Sequence, residues 1–179
     1  MDVFEAMAAR RSVRRYADRP VEQDKLAMVV ETANRAPVAG DFQVTVIQNR
    51  SLLEEINTAA RVYMRDCGNS YLQGRIKLPG YEPLYRAPVL ALFSAPDGPN
   101  CEANSAAAAV NVTLAATAAG LGSCYVVTPV WGLSIAPELT RRLDLPDGYK
   151  PRAGVLLGYA DGNAFTRERA AADNIRYII

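Results

Sequence analysis

Residues 103–122 form the most apolar stretch of the chain, yet it is built largely of alanine and threonine, with Asn104, Ser105 and Asn111 set into it. Small side chains let neighbouring backbones approach closely, and the polar groups fit a membrane span poorly. A buried helix from about Glu102 to Ala119, stopped by Gly120, is therefore expected. Around it lie three short apolar runs, PVLALFS at 88–94, SCYVV at 123–127 and GVLLG at 154–158. Continuous runs of this length are what strands buried on both faces require. Such strands need helices on either side, which favours a layered α+β structure.

The remaining segments fill in the layers. Residues 2–10 read as a short helix with Val3, Phe4 and Met7 on one face. From about Glu22 to Arg35, Leu26, Val29, Val30 and Ala33 follow helical spacing, and Pro37 marks the stop. Gln43 to Gln48 reads as a strand. Ser51 and Glu54 then have the spacing of a capping box, opening a helix with Leu52, Ile56, Ala59, Ala60 and Tyr63 inward. Residues 67–86 show no clear period and read as an irregular or partly helical excursion suited to covering a site. A short helix is expected around Pro137 to Leu143, and the tail NIRYII reads as a last strand packed on a partner subunit. The order lacks regular βα alternation. It predicts a single domain over 1–179, an α+β three-layer sandwich with a mixed, mostly antiparallel sheet flanked by helices.

Composition narrows the chemistry. The 179 residues carry a net charge of +1, which gives no broad positive field for nucleic acid. There is no histidine, so Ser-His-Asp and Cys-His catalysis and histidine-ligated zinc are excluded. Cys67, Cys101 and Cys124 have no CxxC spacing and read as reduced cytoplasmic thiols, with neither disulfide framework nor metal site. The N-terminus MDVFEAMAARRS has acidic residues and no long apolar core, so it is not read as a secretory signal. If the chain is an enzyme, a cofactor carries the reaction.

Against near neutrality, five arginines fall within ten residues: Arg10, Arg11, Arg14, Arg15 and Arg19, in ARRSVRRYADRP. Guanidinium forks match phosphate oxygens and Ser12 adds a hydroxyl, although a solvated helix end would look the same. APVAGDFQ at 36–43 is a loop in which Pro37 and Gly40 prevent regular structure. Gly120-Leu-Gly122 has Tyr125 where a dinucleotide fingerprint needs its third glycine, and it follows a helix instead of a strand, so a Rossmann reading is rejected. Arg167 and Arg169 lie two apart near the end. Each segment alone is ordinary.

Taken in order, RRS after the first helix, APxxGxxQ after the second, the Ala-rich helix closing in GLGSCYV, a GYxxG-like strand end and the late R-x-R resemble the nitroreductase family of FMN-dependent oxidoreductases. The resemblance spans nearly the whole chain. It implies that Arg10, Arg11, Ser12 and Arg14 bind the FMN phosphate, ribityl chain and pyrimidine edge, with Arg167 and Arg169 completing the phosphate site. It implies a homodimer with FMN at the interface, in which Pro37, Val38, Ala39, Gly40, Asp41 and Gln43 reach the flavin from the second subunit and the C-terminal strand is exchanged. Gly122, Tyr125, Val126 and Val127 would pass their backbone near flavin N5 and O4. NADH or NADPH would deliver hydride to the flavin, and a nitroaromatic, quinone or similar small-molecule acceptor would then take it, a ping-pong reaction needing no catalytic side chain and no metal. Val38 and Asp41 depart from the serine and asparagine more typical there, removing a hydroxyl and an amide donor. The same scaffold also suits flavin breakdown, dehalogenation or ene reduction, or a non-catalytic flavin-binding regulatory dimer.

Overall fold

The computed structural model describes residues 1–162 and 174–178. Helix α1 (Val3–Ala9) starts at Asp2, whose carboxylate accepts from the Glu5 amide while Glu5 accepts from the Asp2 amide. This reciprocal pair satisfies amides that the first helical turn cannot. α2 (Gln23–Glu31) tightens into a 3-10 turn over Thr32–Arg35. Ala36, preceding Pro37, is already extended, as proline demands of its neighbour. After β1 (Gln43–Ile47) comes α3 (Arg50–Asp66), capped by Asn49 and not by Ser51. Asn49 Oδ1 accepts from the Leu52 amide at 2.9 Å, whereas Ser51 Oγ faces Glu55. A cap must itself be extended, and Asn49 is the last extended residue after β1.

The excursion contains one short helix, α4 (Ser70–Ile76), capped by Asn69. β2 (Val89–Pro96), α5 (Cys101–Ala118) and β3 (Gly122–Val126) follow their predicted positions closely. α6 (Thr128–Ser134) was not legible, because its seven residues begin with Thr-Pro and carry too short an apolar pattern. α7 (Pro137–Arg141) is the expected short helix. β4 (Tyr149–Gly158) begins before GVLLG, since Pro151 and Arg152 are absorbed at a bulge opposite Phe93 and Ser94.

The sheet order is β1-β2-β4-β3, with every neighbouring pair antiparallel. Parallel pairing, expected from a mixed sheet, is reduced among the described residues to a single bridge between Ser12 and Ser123. Residues 174–178 lie in no strand, and Ile175, Tyr177 and Ile178 are exposed. The predicted last strand is therefore absent from the described part of this chain.

Two cores sandwich the sheet. On one face Leu26 and Val29 of α2 and Ala108, Ala109, Val112 and Ala116 of α5 pack on Ala91, Phe93, Val155 and Leu157. On the other, Ile56 of α3, Leu133 of α6 and Leu139 of α7 cover Leu90, Leu92, Val126 and Leu156. The alanines let α5 lie close against the central strands. No helix of the described residues is long and apolar enough to cross a membrane.

Candidate active site

The arginine run starts at the C-cap of α1, Arg10, and then leaves the helix. α1 stops at Ala9, and the chain then runs extended along the free edge of β3: the Val13 amide donates to the Ser123 carbonyl at 2.9 Å. Farther on, the Ala17 amide donates to the Tyr159 carbonyl, and the Asp161 amide to the Arg15 carbonyl. The segment is thus fixed between the edge of β3 and the exit of β4. Gly122 makes this approach possible, because a Cβ there would stand 2.8 Å from Val13 Cγ2. In a strand the backbone groups of residues two apart point the same way, so those of Tyr125 share the edge that Ser123 presents.

The five arginines divide by partner. Arg15 pairs with Asp161 at 3.0 Å. Arg19 pairs with Glu22 at 2.8 Å and its guanidinium lies 3.9 Å from the centre of the Tyr159 ring. Arg11 folds back on the end of α1, donating to the Ala8 and Arg10 carbonyls, so part of its role is to close that helix. Among the described residues its buried Nε has no partner, nor does the buried Ser123 Oγ. Arg14 makes no ion pair among the described residues and lies 6.0 Å from the centre of the Tyr85 ring.

Cys124 reports the local field. Burial pushes its thiol up, while Arg14, the Ser12 hydroxyl, Arg10 and Arg75 pull the other way. Tyr16, partly buried against the same core, donates to the Val13 carbonyl at 3.0 Å, and desolvation pushes its hydroxyl well above the usual range. Arg14, Arg10 and Arg75 thus all act on one buried residue of β3.

The 36–43 loop lies elsewhere. It enters β1, which forms the opposite edge of the sheet from β3. Three strand spacings, about 14 Å, separate the two edges. One chain does not bring the loop and the arginine run together. The loop is held by Asn104 of α5, which donates to the Ala39 carbonyl at 2.6 Å and accepts from the Ala39 amide at 3.3 Å. That amide pair, joining residues 65 apart in sequence, had no signal in the sequence. Gly40, at φ 118°, supplies the turn, and Pro37, Ala39 and Asp41 are exposed while Val38 and Gln43 are partly covered. Val126 points into the core, so only its backbone is available, whereas the Tyr125 side chain is exposed. Val127 caps α6. Arg167 and Arg169 lie outside the described residues.

The nitroreductase family model matches residues 7–159, which include the arginine run, the loop and all four strands. The chain belongs to the nitroreductase family. It is 30% identical over 98% of its length to a Methanothermobacter thermautotrophicus protein provisionally named an NADH dehydrogenase/NAD(P)H nitroreductase, of which it covers 86%. A Bacteroides fragilis nitroreductase crystallised with FMN is 27% identical, with a TM-score of 0.88 over 100% of this chain and 99% of that one. A Desulfitobacterium hafniense nitroreductase with bound FMN, 23% identical, shares the fold at a TM-score of 0.89 over the full length of both. Tyr85 beside Arg14, and Arg75 donating to the Tyr85 hydroxyl, had no signal in the sequence. Both come from the aperiodic excursion, where no spacing rule applies.

Proposed function

We propose that this nitroreductase-family chain is an FMN-dependent NAD(P)H oxidoreductase that works as a homodimer. The observation that carries the reading is the extended Arg10–Arg14 segment, bonded to the open edge of β3. The residues present fit FMN: among the described residues Arg14 pairs with no carboxylate, and Arg11 Nε and Ser123 Oγ are buried polar atoms without a partner. An anionic, planar, hydrogen-bonding ligand answers each of these needs. Bound there, FMN would accept and return hydride, chemistry that no amino-acid side chain supplies.

The chain's own residues bind and orient. Arg10, Ser12 and Arg14 hold the anionic end or the polar ring edge, Arg11 contributes its Nε, and Gly122, Tyr125, Val126 and Val127 offer backbone. Arg167 and Arg169 are assigned to the phosphate on the family pattern. The loop from Pro37 to Gln43, on the far edge of its own sheet, serves the site of a second copy. Phe4 and Met7 of α1, Met28 of α2 and Val110 of α5 are exposed on the layer that carries α5, the apolar face a second subunit would cover. Three free thiols, Cys67, Cys101 and Cys124, agree with a reducing, cytoplasmic setting. Electrons from NADH or NADPH would pass in a ping-pong cycle to a nitroaromatic, a quinone or a similar acceptor.

Titration of the purified protein with FMN, followed by oxidation of NADH and of NADPH with and without a nitro or quinone acceptor, tests the proposal. Arg10→Glu is expected to abolish flavin retention, and Arg19→Glu, whose partners are Glu22 and Tyr159, to spare it. A wild-type protein that takes up no FMN would end this reading, and equal losses in the two variants would end the assignment of Arg10.

A further inference from the structure

The bulge near the start of β4 aims one side chain. Pro151 pairs with Ser94 and Ala153 with Phe93, so Arg152 is the extra residue, with nothing opposite it on β2. A bulge of this kind takes a side chain out of the strand's alternation and redirects it. Only 11% of the Arg152 side chain is exposed, and all three of its guanidinium nitrogens are engaged. Nε donates to the Ala95 carbonyl at 3.3 Å, Nη2 to Asp97 Oδ1 at 2.5 Å and Nη1 to Glu102 Oε1 at 3.3 Å. These acceptors lie at the end of β2, in the loop after it and in the first turn of α5.

The start of α5 depends on such a tie. α5 is the longest helix of the described residues, at 18 residues, yet its N-cap Asn100 makes no side-chain cap hydrogen bond. Arg152 reaches the first turn from the neighbouring strand instead. Lys150 donates to Asp97 at 2.5 Å, and the Cys101 thiol to Glu102 Oε2 at 2.9 Å. Asp97 is held below the usual carboxylate range by Lys150 and Arg152, and Glu102 chiefly by the Cys101 thiol, so both stay charged. An isolated exposed ion pair orders little, but a guanidinium fork bound by a strand, a loop and a helix at once fixes their relative placement.

Two residues beyond Glu102, Asn104 grips both backbone groups of Ala39. Gln43 pairs with Ser94, so the 36–43 loop enters β1 at the end of the sheet where Ala95 and Arg152 lie. A shift of the first turn of α5 therefore carries Asn104, and the loop with it. We propose that Arg152 is a positioning residue for the cofactor site: it fixes the first turn of α5 through Asp97 and Glu102, and Asn104 passes that placement to the loop. This rests on the reading above, in which the loop serves the flavin of a second copy.

The test is a double-variant cycle: FMN dissociation constants and melting temperatures for wild type, Arg152→Met, Asn104→Ala and the two combined. Arg152→Met is expected to weaken FMN about threefold and Asn104→Ala about fivefold; because both act through Asn104, the double variant should stay near fivefold, where independent effects would multiply to about fifteenfold. Arg152→Lys, which meets one acceptor but not three in a fixed fork, should stay close to Arg152→Met. An unchanged FMN constant in either single variant, even with a lowered melting temperature, or a multiplicative loss in the double variant, would overturn this inference. With wild type still binding FMN, each of those results leaves the assignment of the Arg10–Arg14 segment intact. Wild-type affinity in Arg152→Lys would overturn the role given to the fork. Failure of wild type to bind FMN would remove both this inference and the flavin reading.

Discussion

Gly122→Ala tests how the arginine run is held to the sheet. The added Cβ would lie 2.8 Å from Val13 Cγ2 and 3.0 Å from both Val13 Cβ and Cγ1. Rotation about χ1 of Val13 moves its methyls but not its Cβ, so no rotamer clears the contact. Either β3 or the segment carrying Arg10 to Arg14 must shift. Overpacking of this kind costs about 1–3 kcal/mol. If the fold absorbs it, the melting temperature falls by about 2–12 °C, at about 2–4 °C per kcal/mol for a chain of this size. If the segment lifts instead, the cost appears on binding, as a loss of about 5- to 150-fold in FMN affinity. Calorimetry and flavin titration on the same preparation separate the two. Adding Val13→Ala removes the closest methyl but leaves the Cβ, so the double variant should recover part and not all of the loss. Wild-type melting and wild-type FMN affinity in Gly122→Ala would refute the argument.

Three further outcomes are expected. Asn49→Ala should destabilise the fold by about 0.5–2 kcal/mol in denaturant unfolding, and Ser51→Ala by less than about 0.5, because only Asn49 caps α3; the reverse order would restore the Ser51 box. Glu22 is held down to about 2, chiefly by the Tyr159 hydroxyl, so its contribution is intact above the usual carboxylate range and fades as pH falls towards 2. Tyr159→Phe should therefore move the acid unfolding midpoint, read by circular dichroism, to higher pH; superimposable acid limbs would refute the linkage. Asn104→Ala removes both hydrogen bonds to Ala39 and should weaken FMN about fivefold, with little change in melting temperature because the loop is exposed. Unchanged flavin affinity there would mean that the loop's position does not matter to the site.

Much of the fold was legible because its determinants are local. The apolar runs at 88–94 and 154–158 mark the central strands, the period of Leu26, Val29 and Ala33 marks α2, and the alanines of α5 mark a helix meant for close packing. The misreadings fall where tertiary context decides. Ser51 has capping-box spacing, but the end of β1 makes Asn49 the cap; the apolar run starts at Gly154, but a bulge admits Pro151 and Arg152, so β4 begins at Tyr149. α6 is too short for a period to show.

The same division runs through the site. By itself the sequence determined that the protein has no histidine chemistry, that its cations cluster near the N-terminus, and that its segments stand in nitroreductase order, because composition and spacing need no third dimension. Only the tertiary structure decided which arginines are engaged elsewhere, as Arg15 is with Asp161 and Arg19 with Glu22, while Arg14 forms no ion pair among the described residues. It alone set the arginine run and the 36–43 loop on opposite edges of one sheet and brought Tyr85 to Arg14. Those partners lie 71 residues apart, and no local rule encodes a contact made at that range.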